Sequence, residues 1–208
     1  LILTLPIFVW QSVKSQQTEF APIGATWYLS PPNAFGNPED SLVVYTSISD
    51  TLISGITCKV ISNGITEEYM YELNGKVYFW QNNNFNLLYD YNANVNDTLD
   101  LVYRAVIIDD LSNHKDTLLN VKVVVSSVNL YNVGTVTLKN FQASIIPDTL
   151  FPYLIWEDVN YIESIGSVYG EFIKVIKLPY AGYEARLRCY EDDIVNFTNE
   201  WWSVLGLS

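Results

Sequence analysis

Histidine occurs once in the 208 residues, at His114. Sites built from several imidazoles, including the usual zinc hydrolase arrangements, are therefore excluded by counting, and no metal site is expected. Cationic side chains are scarce as well: Lys and Arg total 11 against 23 Asp and Glu, a net charge of −12. Such a chain repels phosphate backbones and anionic headgroups, which argues against a nucleic-acid partner and against a membrane-surface role. No Gly-x-Ser-x-Gly elbow and no glycine-rich phosphate loop is present, so the sequence suggests no cofactor. No linker rich in Pro, Gly or Ser divides the chain. Charged residues are only 16%, while hydrophobic residues reach 49% and aromatics 14%. That apolar content is enough to offset the entropy of ordering, so the chain folds.

The first ten residues form an apolar run too short to span a bilayer. They read as the h-region of a truncated signal peptide over residues 1–15, with Val13 and Ser15 meeting the small-residue rule for cleavage after Ser15. The competing reading is a buried first strand. Export makes a disulfide between the only two cysteines, Cys58 and Cys189, a candidate, since two cysteines allow one connectivity. Two unpaired buried thiols are the alternative.

Downstream the apolar period is two, and β-branched and aromatic residues dominate. Expected strands run over 42–47, 51–61, 65–73, 76–80, 85–89, 98–108, 117–128, 133–141, 171–176 and 184–190, with a short helical turn near 152–159. Asn74-Gly75 supplies the two positive-φ residues of a type I′ turn between two of them. The fold class is all-β: about ten antiparallel strands in a curved meander or partly closed barrel, with a two-sheet sandwich as the alternative. One β-rich domain spans 21–193, and 194–208 is a tail or the start of a linker to a further region.

No catalytic residue emerges. His114 lies in the polar string Leu-Ser-Asn-His-Lys-Asp and reads as a solvated loop residue. The carboxylates Glu157, Asp158, Glu163, Asp192 and Asp193 cannot be matched into a hydrolytic pair from sequence. Asp90, Asn92 and Asn94 alternate like the start of an EF-hand loop, but Val95 stands where Gly is needed and Leu101 where a bidentate Glu is needed. They read as a turn. Trp27, Trp80 and Trp156 are candidates for stacking on sugar rings, against the alternative of core packing. Alternation places Tyr78 and Trp80 on one face of their strand and Phe79 on the other.

The strings Gly24-Ala25-Thr26-Trp27-Tyr28, Asp50 to Lys59, Asn74 to Trp80, Leu87 to Tyr91, Asn96-Asp97-Thr98, Ile162 to Ser167 and Leu187 to Asp193 follow one another in a familiar order. Together they resemble the N-terminal β-rich module of Bacteroidetes secreted proteins that usually end in a type IX secretion sorting domain. The resemblance implies export and an extracellular or outer-surface location, and it brings no catalytic residues with it. It departs at Asn96, where that pattern has Gly; Asn also tolerates the left-handed region, so the turn should survive. No sorting domain follows Ser208, which leads us to expect a piece of a longer chain.

Asp-(Ser/Thr)-Leu occurs five times, centred on Ser41, Thr51, Thr98, Thr117 and Thr149, where composition alone gives about 0.2. One cause is structural: Asp closes a turn and Thr opens the next strand. The tripeptide also resembles the Bacteroidetes O-glycosylation site, which makes these five hydroxyls candidates for modification. The functional expectation is a secreted or cell-surface, non-catalytic β-domain acting as a structural or interaction module, with a glycan or another surface protein as partner. A carbohydrate-binding module is the alternative, and an acid–base glycan hydrolase the third reading.

Overall fold

The computed structural model describes residues 18–30, 42–110, 113–146, 158–168, 175–178 and 186–199, with the backbone alone at 104–110, 113–117, 158 and 175–178. The described residues contain no helix. In chain order the strands are β1 (Thr26–Ser30), β2 (Val43–Ile53), β3 (Ile56–Ser62), β4 (Glu67–Leu73), β5 (Lys76–Gln81), β6 (Asn84–Asp90) and β7 (Thr98–Asp110). They continue with β8 (Asn113–Val133), β9 (Val136–Ile145), β10 (Asp158–Ile162), β11 (Gly166–Ser167), β12 (Val175–Leu178), β13 (Arg186–Glu191) and β14 (Asn196–Thr198).

They form an eight-stranded sheet in the order β14-β13-β1-β2-β3-β4-β5-β6 and a six-stranded sheet in the order β11-β10-β9-β8-β7-β12. Pairing is antiparallel except between β12 and β7, which run parallel. The chain is therefore all-β. One sheet curls as a half-barrel, as a curved meander requires, and the division into two sheets is the feature the sandwich alternative contained.

Turn chemistry sets the register. Asn74 and Gly75 have φ of 52° and 70°, the expected type I′ geometry, and Asn82 and Asn83 repeat it at 54° and 58°. The stretch expected as one strand over 51–61 is two, because Ser54 and Gly55 turn the chain with φ of 50° and 83°. The break expected between 128 and 133 is absent: β8 runs through to Val133, and the chain reverses at Gly134, whose φ is 58°. Asp158 and Val159, expected in a helical turn, begin β10. In the stretch read as a tail, β14 pairs with β13. Asn96 takes φ 74° and preserves the turn into β7, as expected for a residue that tolerates the left-handed region.

Both sheets contribute to one core. Phe141 stacks on Tyr161 at 4.7 Å, Tyr161 on Tyr89 at 5.1 Å, Tyr89 meets Phe20 at 6.4 Å, Phe20 meets Trp27 at 6.4 Å, and Trp27 meets Tyr190 at 5.0 Å. This aromatic chain crosses from the six-stranded to the eight-stranded sheet. Its polar tips are satisfied: the Trp27 indole N–H donates to the Ile165 carbonyl at 2.8 Å, and the Tyr161 hydroxyl donates to the Asp90 carbonyl at 3.2 Å. Burial raises the phenol pKa of Tyr89, Tyr161 and Tyr190, keeping them neutral.

Candidate functional site

Alternation along β4 and β5 sends Met70, Val77 and Phe79 into the core, each 0% exposed, and Tyr71, Tyr78 and Trp80 to the other face. There the rings associate. Tyr71 stacks on Tyr78 at 4.9 Å and 11°, Phe85 of β6 meets Tyr71 edge-on at 4.7 Å, and Trp80 packs on Phe85 at 4.7 Å. All four are half-buried. The result is a continuous aromatic surface on the outer face of three adjacent strands.

Trp80 is thus where a stacking residue belongs, but Trp27 is not. It is 1% exposed and fills the space between the sheets, so its reading as a ligand-stacking residue is corrected to core. Trp156 lies outside the described residues. Cys58 and Cys189 are free thiols, and the disulfide is not formed. Cys58 sits on β3 and Cys189 on β13, with β1 and β2 between them. Three inter-strand steps separate them by about 14 Å, far beyond what a disulfide spans.

Of the glycosylation candidates, Thr98 is exposed and opens β7 behind the turn that Asp97 closes, its Oδ2 accepting the Asn94 N–H at 2.7 Å. Thr51 is half-buried inside β2, and Thr117 lies inside β8 with its side chain outside the described residues, so neither opens a strand. The turn explanation therefore fits Thr98 and fails for these two. Ser41 and Thr149 lie outside the described residues. His114 belongs to β8 rather than to a loop, because the β7–β8 hairpin extends to Asp110 and Asn113.

The calcium-like string is a turn: Asp90 Oδ1 accepts the Asn92 N–H at 3.0 Å, and its Oδ2 pairs with Lys76 Nζ at 2.9 Å. Asp192 accepts the N–H groups of Ile194 and Val195 at 2.7 and 2.6 Å and bonds the Tyr190 hydroxyl, which is also a structural role. Asp193 is exposed. Glu157 lies outside the described residues, as does the Asp158 side chain.

A second feature is a pocket of about 580 Å³ beside the β4–β5 turn, whose Asn74 and Gly75 line it. Asp50, Lys59, Tyr71 and Glu72 line it from β2, β3 and β4, and the segment Thr18–Phe20 crosses it. Lys59 Nζ holds Glu19 at 2.9 Å and Asp50 at 3.1 Å. Burial alone would lower the Lys59 pKa, but the hydrogen bonds and charges of these two carboxylates raise it. Glu72 Oε2 accepts the Phe20 N–H at 3.0 Å. Burial pushes the Glu72 pKa up, the Phe20 N–H pulls it down, and the charges of Glu163 and Glu19 push it up again.

Glu163 arrives from the six-stranded sheet, in the turn between β10 and β11, where its Oε2 accepts the Lys139 N–H at 3.1 Å. The crossing segment is tied to that turn too: the Thr18 and Ser164 hydroxyls lie 2.7 Å apart, and the Ser164 hydroxyl donates to the Thr18 carbonyl at 3.0 Å. Sequence reasoning included Glu163 among unmatched carboxylates but missed Glu72, Glu19 and Lys59. Their meeting is set by tertiary packing, and no local spacing signals it. Comparison of the chain with family models, with curated proteins and with solved structures yields no match.

Proposed function

We propose that this chain is a secreted or cell-surface, non-catalytic β-domain that acts as an interaction module, and that its contact surface is the aromatic outer face of β4–β6. The observation that carries the reading is the ring cluster of Tyr71, Tyr78, Trp80 and Phe85 on the face turned away from the shared core. Tyr71 and Tyr78 stack on each other with their ring planes parallel to within 11°, which holds the cluster together, and the half-buried Trp80 ring beside Phe85 is the one to meet the C–H face of a pyranose ring. The charge of −12 favours neutral or cationic partners over anionic ones, so a neutral glycan is the ligand class. Export is supported by the leader pattern of residues 1–15 and by the resemblance to the Bacteroidetes module.

The test is a glycan-array screen of the full chain, followed by titration of each hit against Trp80→Ala. The reading expects at least one neutral glycan to bind and the variant to weaken it about tenfold or more, in line with the 1–3 kcal/mol typical of ring stacking. An array without hits, or a hit indifferent to Trp80→Ala, overturns it.

O-glycosylation at Thr98 belongs to the same proposal, since its hydroxyl is exposed directly after Asp97. Intact-mass and peptide analysis of protein exported by the native host tests it, and an unmodified Thr98 peptide as the sole species refutes it.

A further inference from the structure

We propose that Asn63 is a self-modifying site: the backbone nitrogen of Gly64 attacks the Asn63 side-chain amide, and the β3–β4 turn converts to an aspartyl or isoaspartyl linkage. The site does not depend on the aromatic outer face or its ligand.

The chain holds two Asn-Gly dipeptides, Asn63-Gly64 and Asn74-Gly75. Glycine has no side chain to shield its own nitrogen, so in both that nitrogen can approach the preceding Cγ and close a five-membered ring. Their surroundings separate them.

Ring closure needs a nitrogen that gives up its proton and a carbonyl oxygen that takes on negative charge. Both needs are met at Asn63. The Gly64 N–H donates to Ser62 Oγ at 3.0 Å, within reach for handing over its proton. Asn63 Oδ1 accepts three hydrogen bonds, from the N–H groups of Ile65 and Thr66 at 2.9 and 2.8 Å and from the Thr66 hydroxyl at 3.2 Å. These donors are already aimed at the oxygen on which charge develops when Cγ becomes tetrahedral. Gly64, Ile65 and Thr66 are exposed, so water reaches the turn. No atom lies within 4 Å of where a Cβ on Gly64 would stand.

The Gly64 nitrogen bonds to Asn63 Cγ while its proton passes by way of Ser62 Oγ to water. The Cγ–Nδ2 bond then breaks, and Nδ2 takes up a proton and leaves as ammonia. Water opens the resulting succinimide at one carbonyl to give an aspartyl residue, or at the other to give an isoaspartyl one. Either product adds a negative charge to a chain already at −12.

Asn74-Gly75 is held differently. Among the described residues no hydrogen bond reaches Asn74 Oδ1. Asn92 Nδ2 lies 2.9 Å from where a Cβ on Gly75 would stand and donates to the Asn74 carbonyl at 2.7 Å. The Tyr91 N–H donates to the Gly75 carbonyl, also at 2.7 Å. Clamped by these two residues, the Gly75 nitrogen has little freedom to swing toward Cγ.

Incubation of the full chain at mildly alkaline pH, with peptide mapping by mass spectrometry and isoaspartyl methyltransferase labelling at intervals, tests the proposal. In the folded chain Asn63 should convert about tenfold or more faster than Asn74, with one ammonia released per conversion. In denaturant both are plain Asn-Gly peptides, and their rates should converge. Ser62→Ala and Thr66→Val should each slow Asn63 several-fold and leave Asn74 unchanged. Equal rates in the folded chain, a faster Asn74, or an Asn63 rate indifferent to both variants overturns the proposal. A difference that persists undiminished in denaturant also overturns it, because sequence rather than the turn then sets the rate. That comparison depends on no variant.

Discussion

The indole N–H of Trp27 in β1 donates to the carbonyl of Ile165 in the β10–β11 turn at 2.8 Å, a hydrogen bond across 138 positions that fastens one sheet to the other. Around it the ring is flanked by Phe20 and Tyr190, and it is almost wholly removed from water. Trp27→Phe keeps an aromatic ring but leaves the Ile165 carbonyl without this donor and opens a small void. The substitution should cost about 2 to 4 kcal/mol of stability, read from urea unfolding midpoints.

Asn96 holds φ 74° while its N–H donates to the Val125 carbonyl at 2.8 Å. Asn96→Ala should destabilise by about 1 kcal/mol, because a Cβ-bearing residue without a polar side chain is penalised in the left-handed region. Asn96→Gly should be neutral or slightly stabilising. Thermal melts of the two variants separate the backbone effect from loss of the side chain.

Glu72 has a native pKa raised above its ordinary 4.5, chiefly by burial. The folded chain therefore binds a proton at Glu72 more readily than the unfolded chain does. Its favourable contribution is complete below the ordinary carboxylate range and is lost as pH rises through the raised native value. Glu72→Gln should flatten this part of the profile and gain on the unaltered chain as pH rises from 4 to 7. Unfolding free energies measured at intervals across that range check it, and parallel profiles for the two proteins would contradict it.

Both thiols are unpaired, and burial raises the pKa of each. Alkylation in denaturant without reductant should add two labels per chain, and labelling of the folded protein at neutral pH should be slow. A chain that takes up labels only after reduction would contradict the strand separation seen here.

Local chemistry was legible in the sequence where a residue type leaves the backbone little choice. Asn74-Gly75 announced its turn, and Asn96 could be read as a glycine substitute. Ser54 was opaque, because serine seldom adopts positive φ and the β-branched residues on either side run on as one strand. Alternation separated Phe79 from Tyr78 and Trp80, but which face is outward depends on where the second sheet packs. That same packing took Trp27 out of the ligand-facing set and brought the Glu72 carboxylate to the Phe20 N–H. A sequence window carries no record of such encounters.

The adjacency of β1 and β13 has a consequence in time. Ser30 and Arg188 touch across 158 positions, and the ladder from Thr26↔Glu191 to Ser30↔Arg186 joins the first described strand to the last but one. A chain emerging from a ribosome or a secretion pore can form the β2–β6 hairpins as it appears, yet one side of β1 stays bare until the residues after Arg186 arrive. Closure of the core around Trp27 is therefore a late event, limited by how long the chain takes to deliver its own far end.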